Sequence, residues 1–190
     1  SKACRLDPDC WLAFPHLAEA WALGGASDEL WRRAGGDGGE SHDPRALLAL
    51  SAGLGLLPDG SRRAMELAHR AIQLHPDISR LHFHLGSLHL KRGEPKQALD
   101  ALLEGWHHLP PDDAFLHSTP AALAVARAHL SLGAPEEGQR WLRVASDHAQ
   151  AARPADFAAS RVWEQAAKDQ LFAAGGQKKI TDLNPGASLR

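Results

Sequence analysis

At 190 residues and 44% hydrophobic content the chain is long enough for a continuous core. That hydrophobic share is mostly Ala and Leu, with 5 Phe, 6 Trp and no Tyr, which lacks the aromatic and β-branched enrichment of strands. Lys and Arg total 21 against 23 Asp and Glu, so the net charge of -2 excludes the basic excess that a nucleic-acid partner requires.

Apolar runs are all interrupted by Arg, Asp, Glu, Gly or Pro before the roughly 18 residues of a membrane span, so no membrane insertion is expected. Cys4 and Cys10 have no second cluster to join, and they read as free thiols rather than a disulfide framework or a four-ligand zinc site. The predicted class is all-α, and a period in the turns divides it into hairpins.

The chain opens on residues 1–9, the tail of a unit, because Leu6-Asp7-Pro8-Asp9 echoes Leu74-His75-Pro76-Asp77. A first full unit, 10–44, turns at Gly24-Gly25-Ala26-Ser27, and Gly35-Gly36-Asp37-Gly38-Gly39 cuts its second helix to little more than two turns. The next, 45–78, turns at Pro58-Asp59-Gly60-Ser61.

The third, 79–112, is the clearest. Leu81, Leu85 and Leu88 precede its turn, and Ala98, Leu99, Leu102, Leu103 and Trp106 follow it, all at the three-and-four spacing of a buried helix stripe. Gly93 can end the first helix in the left-handed conformation, Pro95 suits the first turn of the second, and Pro110-Pro111 stops it.

Gly93 lies 34 residues after Asp59, which lies 34 after Gly25; Pro110 likewise follows Pro76 by 34. A fourth unit, 119–152, turns at Gly133, which follows Gly93 by 40, so about six extra residues are expected as a surface loop near Asp112 to Ser118. After Pro154 a single helix, 155–174, carries Phe157, Val162, Ala166, Leu171 and Phe172 beside charged residues, as a cap for the open end of a stack. The Gly-rich polar tail, 175–190, is expected to be flexible.

In His82-x2-Leu85-Gly86-x2-His89, Ala98-x3-Leu102 and Pro110 the third unit resembles the tetratricopeptide (TPR) repeat, whose pattern is W-x2-L-G-x2-Y, then A-x3-F, then P. The other units match less closely. Leu48, Ala52, Ala64, Ala68 and Pro76 fit in the second, Phe14, Leu17, Ala18 and Trp21 in the first, and Val125, Ala126, His129, Gly138 and Leu142 in the fourth. The resemblance covers roughly residues 1–150 and implies a right-handed α-solenoid of about four such hairpins with a capping helix, within a domain spanning 1–174. It departs from the family pattern in placing His at 89 and 129.

Chemistry is harder to find. None of the twelve histidines has another at three or four residues, the spacing that puts two ligands on one helix face. There is no G-x-S-x-G elbow. Gly53-Leu54-Gly55-Leu56-Leu57-Pro58 begins like a dinucleotide fingerprint, but it lies inside a predicted helix without a preceding strand, and close helix packing explains its glycines more simply. Gly175-Gly176-Gln177-Lys178-Lys179 lacks the spacing of a phosphate loop. No catalytic residue, cofactor or metal is therefore expected.

A stacked array offers a concave groove lined mainly by the first helix of each unit. On this register the lining comprises Leu12 and Glu19, then Ala49 and Gly53, then Arg80, Phe83, Ser87, Leu90 and Lys91, then Leu123, Arg127 and Leu130. Some members of the family grip carboxylate termini with paired Lys, Asn and Arg. Here the sole asparagine is Asn184, in the tail, so that clamp is not reproduced.

The expected function is a protein-interaction scaffold or adaptor that takes an apolar or amphipathic segment of a protein or peptide partner. An alternative is the repeat segment of a larger enzyme or secretion and assembly protein, ordering its domains or self-associating. A histidine-based metalloenzyme is a third. The start without Met leaves cytoplasm as a default expectation only.

Overall fold

The computed structural model describes residues 22–25, 27–35, 40–109 and 118–150. Among them are seven complete helices and no strand: α1 (Ser27–Gly35), α2 (Pro44–Leu54), α3 (Ser61–Leu74), α4 (Ser79–Lys91), α5 (Pro95–His107), α6 (Ser118–Ser131) and α7 (Pro135–Gln150). The sequence segments 1–21, 110–117 and 151–190, including the expected surface loop, the capping helix and the tail, lie outside the described residues.

Local chemistry sets the helix ends. Asp43 caps α2 by accepting the Arg45 N–H at 2.9 Å, and Pro44 occupies the first helical position, where no N–H is required. Pro95 and Pro135 begin α5 and α7 in the same way, and Glu136 and Glu137 place negative charge at the positive end of the α7 dipole.

Gly93 and Gly133 end α4 and α6 with the same φ of 74°. Around each, a glycine N–H donates to the carbonyl three residues back (Leu90, Leu130) and the next N–H reaches His89 or His129 at 3.0 and 2.9 Å, a closed turn that an L side chain would strain. The turn between α2 and α3 is built differently. It spends residues 55–60, and Gly60, at φ -81°, is required by contact, because a Cβ there would meet the Leu54 carbonyl oxygen. The helix ends at Leu54, so Gly55 to Leu57 lie outside it and not within it as the sequence pattern suggested.

Helices pair as sequential antiparallel neighbours: α2 with α3, α4 with α5, and α6 with α7 make the closest contacts. Between hairpins α3 meets α4 and α5 meets α6, while α1 packs on α2. Leu47, Leu54, Leu67, Leu81, Leu102 and Leu142 are fully buried, and each such side chain stabilises the fold by about 1.5–3 kcal/mol relative to exposure.

The apolar interior runs from hairpin to hairpin. Leu81, Leu85 and Leu88 of α4 join the α2–α3 core, Val125 and Ala128 of α6 join Ala98 and Leu102 of α5, and Trp106 of α5 packs edge-on against Trp141 of α7 at 5.0 Å. Ser118, the last residue of the loop expected at 112–118, is helical and fully buried.

Candidate functional site

First helices α2, α4 and α6 touch one another in succession, α2 to α4 and α4 to α6. The backbones of the second helices α3, α5 and α7 approach one another less closely, although the Trp106 and Trp141 rings meet between α5 and α7. A row whose members touch is the short side of the stack, so α2, α4 and α6 form the inner face.

On α4 the solvent-facing stripe of this row is Arg80, Phe83, Ser87, Leu90 and Lys91, of which Ser87 and Lys91 are exposed and the other three half-buried. Arg127 and Ser131 are exposed on α6, flanked by half-buried Ala124 and Leu130. The apolar members are seated rather than loose. Phe83 lies over Gly105 of α5, where a Cβ would come within 2.7 Å of its ring, and Leu130 covers Gly138 of α7, where a Cβ would come within 2.7 Å of its Cδ2. The two glycines thus create the hollows that hold these side chains partly below the surface.

Of the twelve groove residues expected from sequence, Arg80, Phe83, Leu90 and Leu130 are half-buried, and Ser87, Lys91 and Arg127 are exposed. Three do not reach the stripe. Ala49, at 8% exposure, and Leu123, at 4%, are in the core, and Gly53 is buried beside them. The projection fails at α2 because that helix turns its open side to Arg45, Ala52 and the following turn, while Ala49 faces the α2–α3–α4 core. Leu12 and Glu19 lie outside the described residues.

The structure also places on this row a polar link that sequence reasoning missed. His84, half-buried on α4, is 2.7 Å from Ser51 Oγ on α2, and Ser51 donates its own hydrogen to the Ala64 carbonyl of α3 at 2.7 Å. With the serine hydrogen committed, the imidazole must donate from Nε2, so the neutral ring is the tautomer with Nδ1 unprotonated. Burial, and secondarily the positive charge of Lys91, push the His84 pKa down to about 4. The available signal was its offset of 33 from a serine in an otherwise apolar helix, which resembles an ordinary repeat position.

Other histidines serve packing. His82 is buried, donates from Nε2 to the Pro76 carbonyl at 2.7 Å and stacks on His108. At the α4–α5 turn His89 donates from Nδ1 to Glu94 at 2.7 Å; that bond and the one from Arg92 hold the Glu94 carboxyl below its ordinary range. Among the described residues no group of three or more His, Cys, Asp or Glu is disposed to hold a metal, and no helix is long and apolar enough to cross a membrane.

Neither protein-family models nor curated proteins match the chain. Among solved structures it is similar to that titled "Crystal structure of MamA protein", with a TM-score of 0.54 at 18% sequence identity over 78% of each chain. At that identity the likeness is one of fold, and it agrees with the pairing of helices described above. The chain is an all-α helical-repeat solenoid of the kind seen in MamA.

Proposed function

We propose that the protein is a scaffold or adaptor that binds an apolar or amphipathic segment of another protein along the inner row of first helices, and that it acts by binding and not by catalysis. One observation carries this reading: half-buried Phe83, Leu90 and Leu130 sit beside exposed Ser87, Lys91 and Arg127 on the face where α4 and α6 touch. A segment laid there gains apolar contact from the three large side chains, while the polar ones remain available at its edges.

A displayed library of random peptides, selected on the full chain, tests the site with no partner specified in advance. Enriched peptides should lose binding by about tenfold or more when Ser87, on the inner row, becomes Trp. Gln73→Trp, at an exposed position of α3 on the outer row, should leave binding intact. Peptides insensitive to Ser87→Trp, or lost with Gln73→Trp instead, would place the binding surface elsewhere.

A further inference from the structure

The inner and outer rows differ in how their charges are composed. Helices α2, α4 and α6 contain not one Asp or Glu, yet they contain Arg45, Arg80, Lys91 and Arg127. Helices α3, α5 and α7 instead balance Glu66, Asp100, Glu104, Glu136, Glu137 and Asp147 against Arg62, Arg63, Arg70, Lys96, Arg140 and Arg143. A chain with a net charge of -2 has therefore kept its acids off the row that faces inward.

The acids nearest that row do not cancel it. Asp43, before α2, neutralises Arg45 of that row at 3.0 Å and leaves Lys91 and Arg127 uncancelled by it, while Glu94, after α4, is engaged by Arg92 and His89, which lie off the exposed stripe. Lys91 and Arg127 are both exposed, one on each of two touching helices, and the positive charge of Lys91 extends along α4 as far as His84, opposing its protonation.

We propose that the segment taken by the inner row is acidic as well as apolar: an amphipathic stretch with Asp or Glu side chains flanking a large apolar residue. This rests on the groove reading above and adds its charge. The apolar residue packs beside Phe83, Leu90 and Leu130, while the flanking carboxylates meet Lys91 and Arg127. Such an arrangement selects acidic partners and repels basic ones, because like-charge approach over a half-buried surface is penalised more than in open water. The chain's own tail, 175–190, is a poor occupant, since Lys178, Lys179 and Arg190 outnumber Asp182.

Three labelled synthetic peptides provide the test, each about four helical turns long with one Leu and Phe stripe and with Glu, Gln or Lys at every polar position. Binding to the full chain is read by fluorescence anisotropy. The Glu peptide should bind about tenfold or more tighter than the Lys peptide, with the gap closing at about 0.5 M salt. Replacing Lys91 and Arg127 by Glu, both at exposed positions, should reverse the order, with circular dichroism confirming that the variant is folded.

Equal binding of all three, still abolished by Ser87→Trp, would overturn the charge proposal and leave the groove reading standing. Failure of all three to bind would overturn both. Tighter binding of the Glu peptide that survives Lys91→Glu with Arg127→Glu would overturn the assignment of these cations.

Discussion

Replacing Gly86 by Ala examines whether the hairpins are held by contact at the level of single methyl groups. A Cβ at Gly86 would lie 2.5 Å from Leu102 Cγ, 2.8 Å from Leu102 Cδ2 and 3.1 Å from the Ala98 carbonyl oxygen. Carbon atoms pack best at about 3.5–4.0 Å, so α4 and α5 must separate by about 1 Å. Leu102 and Ala98 are both at 0% exposure and have no empty space to enter.

The overpacking cost then falls near the upper end of its usual range, about 3 kcal/mol. Alanine gains about 1 kcal/mol over glycine as a helix former, which leaves a net loss of about 2 kcal/mol. Urea unfolding followed by far-UV circular dichroism should show a lower midpoint at unchanged slope. Adding Leu102→Ala should hurt the Gly86→Ala background less than it hurts the natural chain, with a coupling of at least about 1 kcal/mol. A Gly86→Ala protein as stable as the natural one would refute the reasoning, since propensity would then have outweighed the contact.

The Ser51 link predicts that Ser51→Ala, which leaves the His84 Nε2–H without its acceptor, destabilises by about 1–3 kcal/mol, measured in the same urea experiment. His84 also makes stability depend on pH. Its folded pKa, about 4, lies below the ordinary value of 6.5, so the unfolded chain binds the extra proton; the contribution is complete above pH 6.5 and is lost as pH falls toward 4. The span between 6.5 and about 4 limits the loss to about 3 kcal/mol, and His84→Phe should flatten this part of the stability profile relative to the natural chain. Asp43→Ala removes the cap of α2 and should cost about 1 kcal/mol, read as a lowered thermal midpoint.

Much of the architecture was legible because the turns repeat. Gly93 and its counterpart Gly133 announce helix ends, and Leu81, Leu85, Leu88, Ala98 and Leu102 are buried as their spacing requires. Hydropathy misjudged the far side of α5. Leu103 is 39% exposed, while Gly105, with no hydrophobic side chain at all, is buried because Phe83 covers it. Such close approaches depend on which side chain arrives from another helix, and no local pattern records that.

The inner row was legible on α4, where the stripe from Arg80 to Lys91 follows directly from helical spacing. It was not legible on α2, because carrying a position back by 34 assumes an unchanged register. There α2 is 11 residues long against 13 for α4, and its turn takes six residues. The Ser51–His84 link escaped notice for a related reason: a serine and a histidine in separate units carry no shared motif.

That link also bears on how the units depend on one another. In a repeat array the cooperativity of unfolding resides in the junctions between units, and these junctions differ in kind. Between the α2–α3 and α4–α5 hairpins, beside the apolar contacts of Leu81, Leu85 and Leu88, a single hydroxyl joins three helices, accepting from α4 and donating to α3. Between α4–α5 and α6–α7 the junction is carried by Phe83, Leu90, Val125 and Trp141. Cooling weakens the apolar contacts of both, whereas acid acts on the first through the burial of His84, so the array has one junction that a change of pH can loosen by a route the other does not share.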